Sequence, residues 1–482
     1  MNNVVRTRFA PSPSGDIHLG NLRAALMSYV FAKQQHGKFV LRIEDTDAAR
    51  TDEASIDGIN EVLKLCGLHA DEGPYHGPFA PYRQSQRITN YVNALTQLQQ
   101  NGRIYKCFCS KEELELERQL QMRHNQAPRY SRKCLGMSPE KLLKKTEFGL
   151  PFVWRFRLNS EQIFRIKDLC KGNLEFILAN FSDFTLTRPD GSFTFLFCNF
   201  VDDWQMQISH VIRGEDHVAN TALQLALYDA FMVNPPAFCH LPMILGASGE
   251  KLSKRDRHFS VLSTLQDGIL PQALCDYLLR IGHWNDAPPR SLPQIITEFN
   301  INTMHAASTV HYDAAQLRWL NEQWLKNLSG QQLAKFSSKL LPQQWALVAD
   351  YEDVESLLEQ LKAETKNLKD LLALAHKIID LELPWLNGPT LDAIFADVAN
   401  VSVKLIVQQL QTELSNIDDV QTFTAVIKNL GQQYNLPLKA LYQLIRLIST
   451  GQAQGLAIDK VVAATGLSGM RAKVAKLLQL LA

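Results

Sequence analysis

The chain has 482 residues, enough for two to four domains of about 100–200 residues each and for more than one buried core. Apolar residues make up 46% and charged residues 21%, which excludes a disordered, collagen-like or fibrous chain, and 50 basic against 49 acidic residues leave +1, so any nucleic-acid surface must come from local patches. No stretch approaches the ~18 uninterrupted apolar residues of a membrane span, the start M-N-N-V-V-R-T-R-F lacks a signal-peptide core, and eight scattered cysteines are no disulfide framework; a multidomain cytoplasmic protein with no membrane partner is expected.

Val4 to Phe9 is β-branched and short, a strand. Ala10 to Asp16 (A-P-S-P-S-G-D) is a turn-forming cluster, and from Gly20 the apolar residues Leu22, Ala25, Leu26, Tyr29 and Val30 follow helical spacing until His36-Gly37-Lys38. Phe39 to Ile43 reads as a second strand. This is a βαβ unit, the opening of a parallel, doubly wound sheet. Residues from about 75 to 190 break the rhythm, with a helix from Tyr91 to Gln100, a close cysteine pair and a basic helix. Between 103 and 145 there are eleven Lys/Arg against five Glu. Strand-like patterns return at Thr194–Val201 and Gln207–Val211, followed by a helix around Ala222–Phe231, so the middle reads as an insertion between two halves of one nucleotide-binding sheet. Beyond about 320 the chain is helical throughout, with no internal repeat, and Pro384 to Pro389 is a hinge between helical subdomains.

The segment Pro11-Ser12-Pro13-Ser14-Gly15-Asp16-Ile17-His18-Leu19-Gly20-Asn21 joins the first strand to the first helix, where a βαβ fold binds nucleotides. Gly15 and Gly20 let backbone approach a ligand, and His18 stands where an imidazole donates to a phosphate oxygen; an ordinary Pro-rich turn with a helix-capping histidine explains the segment equally well. Lys251-Leu252-Ser253-Lys254-Arg255 concentrates bases in a way that, taken alone, is a solvated turn.

Together, these two segments resemble the nucleotide-clamping signatures of class I aminoacyl-tRNA synthetases. R-F-A-P-S-P-S-G-D-I-H-L-G-N-L-R-A-A-L followed by R-I-E-D-T-D, V-I-R-G-E-D-H at 211–217, K-L-S-K-R-D at 251–256 and Y-D-A-A-Q-L-R-W-L-N at 312–321 are similar to the glutamyl-tRNA synthetase family in particular. The resemblance implies an α/β fold: a Rossmann-like catalytic domain in two halves (1–75 and 191–255) around an inserted α+β acceptor-binding, zinc-type domain (76–190). A stem-contact region (256–325), a helical subdomain (326–380) and a helical anticodon-binding domain (381–482) follow.

It also implies a glutamate–tRNA ligase that uses ATP with Mg²⁺, working as a monomer on tRNA-Glu; action on tRNA-Gln, or a catalytically silent tRNA-binding paralogue, is the alternative. A glutaminyl enzyme would carry a β-barrel tail, and a small-molecule nucleotidyltransferase would need neither insertion nor tail. Residue by residue, the resemblance assigns Pro11, Gly15, His18, Gly20, Asn21, Asp216, Lys251, Ser253, Lys254 and Arg255 to ATP, with His18, Lys251 and Lys254 catalytic. Arg8 and Arg213 would hold the two carboxylates of glutamate, and Glu44 and Ser12 its ammonium group. Ala10 would line the pocket and Asn199 flank it. One position departs from the family: Phe195 stands where a tyrosine hydroxyl is usual.

Cys107, Cys109 and Cys134 match the family's zinc-binding insertion, but Gly136 replaces the usual histidine. Related glutamyl-queuosine enzymes use a tyrosine at the spacing of Tyr130. Three thiolates and a phenolate would complete a tetrahedral zinc site, against the alternative of three free cysteines without metal. Cys66, Cys170, Cys198, Cys239 and Cys275 read as core. Lys460, Arg471, Lys473 and Lys476 give the last helix a basic face toward phosphate, or a merely solvated one.

Overall fold

The computed structural model describes residues 4–13, 15–46, 53–246, 249–250, 259–282, 287–301, 309–386, 391, 394 and 403–481. These form two compact units, Met1–Ser263 with Cys275–Asp313, and Thr264–Leu274 with Ala314–Ala482.

In the first unit, strand β1 (Arg6–Phe9) leads through the Pro-rich loop to helix α1 (Leu19–Gln34) and back to β2 (Lys38–Leu41), which pairs parallel to β1 with Arg6 opposite Lys38 and Phe9 opposite Leu41. The helix begins where it does because His18 is extended and its Nδ1 accepts the Asn21 N–H. Helices α2 (Glu53–Leu65) and α3 (Ile88–Gln100) follow. Next come β3 (Ile104–Cys107), α4 (Lys111–Arg123), α5 (Pro139–Glu147), β4 (Val153–Phe156), the hairpin β5 (Ile163–Asp168) and β6 (Gly172–Ile177), and β7 (Phe184–Thr185). Strands β3, β4 and β7 form an antiparallel sheet. The chain then returns to the parallel motif. Helix α6 (Phe195–Gln205) precedes β8 (His210–Gly214), α7 (Val218–Ala230) and β9 (Ala237–Leu241), with β8 and β9 parallel. Ser209 donates its N–H to the Arg6 carbonyl, which sets β8 beside β1.

The inserted segment shares its core with the sheet. Tyr91, Phe156 and Leu178 lie in one buried cluster with Val40, Phe197, Phe200, Val211 and Phe238, so the insertion and the nucleotide-type sheet bury a common apolar interior.

Thr194–Val201, read above as a strand, is the start of helix α6. The run F-L-F-C-N-F-V is apolar enough for a buried strand, and periodicity cannot separate the two in so short a run. The deciding signal is polar: Asn199, Asp202 and Asp203 stand four, seven and eight residues after Phe195, a helical face.

Beyond β10 (Ile244–Leu245) lie α8 (Val261–Gln266), α9 (Pro271–Arg280), α10 (Leu292–Glu298) and β11 (Val310–His311), which pairs with β10. The second unit continues with α11 (Ala314–Asn327), α12 (Gly330–Leu340), α13 (Pro342–Trp345), α14 (Val354–Leu361), α15 (Leu368–Ile379), α16 (Val403–Ser415), α17 (Val420–Gln433), α18 (Leu438–Thr450) and α19 (Ile458–Leu480). Among the described residues of the second unit every element is helical, as the Leu/Gln/Ala-rich pattern requires. The longer helices bury apolar stripes, such as Leu357, Leu358 and Leu361 of α14. Within the motif at 312–321, Asn321 is buried and accepts the Leu270 N–H at 2.8 Å, a packing role. Of the hinge at 384–389, residues 387–389 lie outside the described residues. Trp385 donates its indole N–H to the Leu447 carbonyl at 2.9 Å, which ties the start of that stretch to α18.

The basic face expected on the last helix loses Lys473 to the interior, and its other three cations have partners within the unit. Lys473 is fully buried, and its ammonium donates to the carbonyls of Lys377 and Asp380 at the end of α15. Arg471 donates to the carbonyls of Leu414 and Ile417, while Lys460 pairs with Glu364 and Lys476 with Glu382 at 2.6 Å. Helix packing takes Lys473 off the surface, whereas Lys460, Arg471 and Lys476 stay partly exposed beside their partners, a distinction that charge counting along the sequence cannot reveal.

Candidate active site

The ends of β1, β2 and β8 and the N-terminus of α1 converge on one cavity of about 410 Å³. The loop after β1 is fastened to the strand end beside it: Arg42 donates its N–H to the Phe9 carbonyl, and Glu44 its N–H to the Pro11 carbonyl. That stitching puts Arg8, Ala10, Ser12 and Glu44 on one wall. Helix α6 supplies Phe195 and Asn199, and β8 with its following turn supplies Arg213 and Asp216. His18, Gly20 and Asn21 close the α1 side. A Cβ at position 20 would meet the His18 ring at 3.1 Å, so glycine is what lets that imidazole lie against the helix start. Because Nδ1 accepts from Asn21, a neutral His18 carries its proton on Nε2. His18 therefore caps the helix and lines the cavity at once.

Pro11 also lines the cavity, but Gly15 does not; its φ of +113° makes the bend that leads into the helix. Lys251, Ser253, Lys254 and Arg255 lie outside the described residues. The chain on either side does reach the cavity: Ile244 lines it, and Ser260 bridges to His18.

Beneath the cavity is a buried charge network that sequence reasoning missed. Arg42 is fully buried; it donates to Asp203 at 2.7 Å and to Glu44 at 3.3 Å, and its Nε lies 3.7 Å from Asp202. Arg87, Gln84 and Tyr91 also donate to Asp202, and Arg8 reaches Asp203 at 3.1 Å through Nε. Burial works against the Asp203 carboxylate, but Arg42 and Arg8 outweigh it and hold its pKa below the usual value. One arginine facing two acids thus locks α6 to β2, and with it Asn199 and Phe195. Its only signal in the sequence was three acids and an arginine inside otherwise apolar segments.

Glu44 accepts from Asn199 at 2.6 Å. Burial pushes its carboxyl up to about 7 against the pull of Arg42 and Arg8. Arg213 is buried, and burial brings its pKa down to about 10. Its Nη2 donates to Thr221 at 2.8 Å and Gln224 at 2.9 Å, its Nε to His240 at 3.2 Å, and among the described residues Nη1 has no hydrogen-bond partner. Phe195 lies 5.9 Å, ring to ring, from His217. Three arginines line the cavity, and Arg23 is held by the carbonyls of Pro242 and Ile281; the guanidinium groups of Arg8 and Arg213, one buried carboxylate and a helix N-terminus suit a ligand with two carboxylates and an ammonium beside a polyphosphate.

The family model for the catalytic domain of class I tRNA synthetases (E and Q) matches residues 4–326, and that for an anticodon binding domain matches 323–478. This chain belongs to the glutamyl-tRNA synthetase family of class I enzymes. It is 31% identical to a glutamate–tRNA ligase of Sulfurihydrogenibium sp. (strain YO3AOP1), covering 98% of this chain and 99% of the relative. It is 36% identical to one of Acidovorax sp. (strain JS42), covering 96% and 97%. The crystal structure of a glutamate tRNA ligase from Elizabethkingia meningosepticum in complex with its amino acid superimposes with a TM-score of 0.83 at 28% identity, over 99% of this chain and 100% of that one. This class I synthetase thus has the α/β catalytic part and helical C-terminal part that its motifs implied.

Away from the cavity, the sulfurs of Cys107, Cys109 and Cys134 lie within 4.8 Å of one another, the one such group among the described residues. The Tyr130 hydroxyl is 3.4 Å from the Cys107 sulfur and 3.7 Å from that of Cys109. Burial opposes a thiolate at Cys107, yet hydrogen bonds from Tyr130 and Arg155 hold its pKa below the ordinary value. Four soft and phenolic donors this close fit a tetrahedral zinc ion. The remaining five cysteines are buried, as core residues are. Arg103, Arg132 and Arg157 line a separate basic cavity in the insertion. Among the described residues, no helix is long and apolar enough to cross a membrane.

Proposed function

We propose that this synthetase attaches L-glutamate to tRNA in two steps, using ATP. In the first, the α-carboxylate of glutamate attacks the α-phosphorus of ATP and expels pyrophosphate, leaving glutamyl-adenylate. In the second, a hydroxyl of the tRNA 3′-terminal ribose attacks the glutamyl carbonyl and AMP departs. Neither step needs a protein nucleophile; positioning and charge neutralisation do the work. The observation that carries the reading is the convergence, around one cavity of one chain, of Arg8, Arg213 and Glu44 with the His18 end of α1.

In this reading Arg8 and Arg213 take the two carboxylates, and Glu44 and Ser12 take the ammonium. Ala10 contributes backbone, with Phe195 and Asn199 flanking. His18 donates from Nε2 to ATP phosphate beside Pro11, Gly20 and Asn21, with Gly15 shaping the loop, and Asp216 takes the ribose. Lys251 and Lys254, with Ser253 and Arg255, neutralise the departing pyrophosphate, and Mg²⁺ enters with ATP. Zinc held by Cys107, Cys109, Tyr130 and Cys134 serves as a structural clasp in the insertion, where 76–190 meets the acceptor end. Residues 1–75 and 191–255 then form the catalytic halves, 256–325 the stem contact, and 326–380 and 381–482 the anticodon side. The enzyme works as a monomer, and tRNA-Glu in the cytoplasm is the substrate.

Charging of separated tRNA-Glu and tRNA-Gln with labelled glutamate tests this. Labelled tRNA-Glu alone is expected. No glutamylation of any tRNA, with ATP left unconsumed, would mean a silent tRNA-binding protein instead.

A further inference from the structure

Behind the cavity, two buried side chains that touch no part of it are joined to Arg213. Asp168 ends β5, His240 lies on β9, and neither side chain has any exposure. Asp168 Oδ2 is 2.6 Å from His240 Nδ1. Its Oδ1 is already taken by the N–H groups of Cys170 at 2.9 Å and Lys171 at 2.8 Å. Although burial opposes ionisation, the hydrogen bonds from His240 and Lys171 hold the Asp168 pKa below its usual value, so the carboxylate only accepts. Burial depresses His240, which leaves its ring neutral.

The proton must then sit on Nδ1, and Nε2 must offer a lone pair. Two groups face that lone pair: Arg213 Nε at 3.2 Å and the Thr221 hydroxyl at 3.0 Å. An arginine Nε–H can only donate. On its other side Arg213 donates to Gln224, which donates to Asn199 at 3.2 Å, which donates to Glu44. Every bond in the row has a fixed sense, running outward from Arg213 to a carboxylate at each end.

We propose that Asp168 and His240 are positioning residues: by holding the imidazole in its Nδ1–H form they present an acceptor to Arg213 and fix the angle at which its guanidinium meets the amino-acid substrate. The consequence for substrate rests on the reading of Arg213 given above; the tautomer does not.

Asp168→Asn is the incisive change. Its amide oxygen would stay with the Cys170 and Lys171 N–H groups, turning the NH₂ toward Nδ1. His240 would then accept there and carry its proton on Nε2, against another donor. In protein with ¹⁵N-labelled histidine, located by the signal lost in His240→Gln, His240 should show a protonated Nδ1 that becomes a protonated Nε2 in Asp168→Asn. The KM for glutamate should rise about tenfold to a hundredfold, with the KM for ATP within about twofold. His240→Gln, whose carbonyl can accept from Arg213, should stay within a few-fold of wild type, and His240→Leu should not. A wild-type ring protonated at Nε2 overturns the inference whatever the kinetics, including when Asp168→Asn does not fold. Arg213→Gln separates the two levels. If it leaves the glutamate KM unchanged, the site reading falls and the inference with it; if it raises that KM while Asp168→Asn does not, the inference alone is wrong.

Discussion

Replacing Glu44 by glutamine removes one charge and almost no volume. In the fold Glu44 accepts from Asn199 at 2.6 Å and from Arg42 at 3.3 Å, and a glutamine carbonyl can keep both bonds. Arg42 also keeps Asp203 at 2.7 Å, so the network under the cavity survives. What is lost is the charge opposite the substrate ammonium. A hydrogen bond to a charged group is worth about 1.5–3 kcal/mol, which converts to roughly a 10- to 150-fold rise in the KM for glutamate. Because burial raises this carboxyl to about 7, the effect carries a pH signature. Below about 7 the folded protein increasingly holds Glu44 neutral, so the wild-type glutamate KM should climb about tenfold per unit as pH falls, and Glu44→Gln should abolish that slope. The sign for stability is opposite to that of a salt-bridged acid. The folded value lies above that of an ordinary glutamate, so the folded state holds the extra proton and this group's contribution to stability falls as pH rises toward 7. The variant should therefore melt no lower than wild type at pH 8. Initial rates of tRNA glutamylation over a glutamate series at several pH values decide it. A glutamate KM unchanged within about twofold, or an equal rise in the KM for ATP, would refute the assignment of Glu44 to the ammonium.

Phe195→Tyr restores a hydroxyl toward the side chain of the substrate and should lower the glutamate KM by about threefold to tenfold; weaker use of glutamate would show a differently shaped pocket. Lys254→Ala should cut the rate at saturating ATP by about 10²–10³ with tRNA affinity nearly intact, and an unchanged maximal rate excludes the role. Elemental analysis of protein never exposed to chelator should find about one zinc per chain, and well under half an equivalent contradicts the Cys107, Cys109, Tyr130 and Cys134 site. Lys473→Met strips donors from two carbonyls at the end of α15 and should cost about 1–3 kcal/mol in denaturant unfolding without changing the glutamate KM. A shift below about 0.5 kcal/mol would show that those carbonyls are not held by the ammonium.

Features that a few neighbouring residues can enforce are legible in the sequence. The turn-rich loop between a β-branched run and a helical stripe, with His18 and Gly20 at its end, already implies the nucleotide-type βαβ unit, and the structure builds it there. The Leu-rich stripes after 320 need no distant partner to become helices, and the spacing of Cys107, Cys109 and Cys134 already marks them as one cluster, which the structure brings together. Tertiary structure decided the rest, wherever a residue's environment came from far along the chain. The helical spacing of Asp202 and Asp203 behind F-L-F-C-N-F-V is local, but their partner Arg42 lies about 160 positions away, and a local window holds no trace of it. Asp168 and His240 meet across 72 positions, in segments with no motif between them. Lys473 looked like a phosphate contact until helix packing placed two carbonyls around it. Propensity and periodicity are local, whereas the cost of burying a charge without a partner is settled only when distant strands and helices come together.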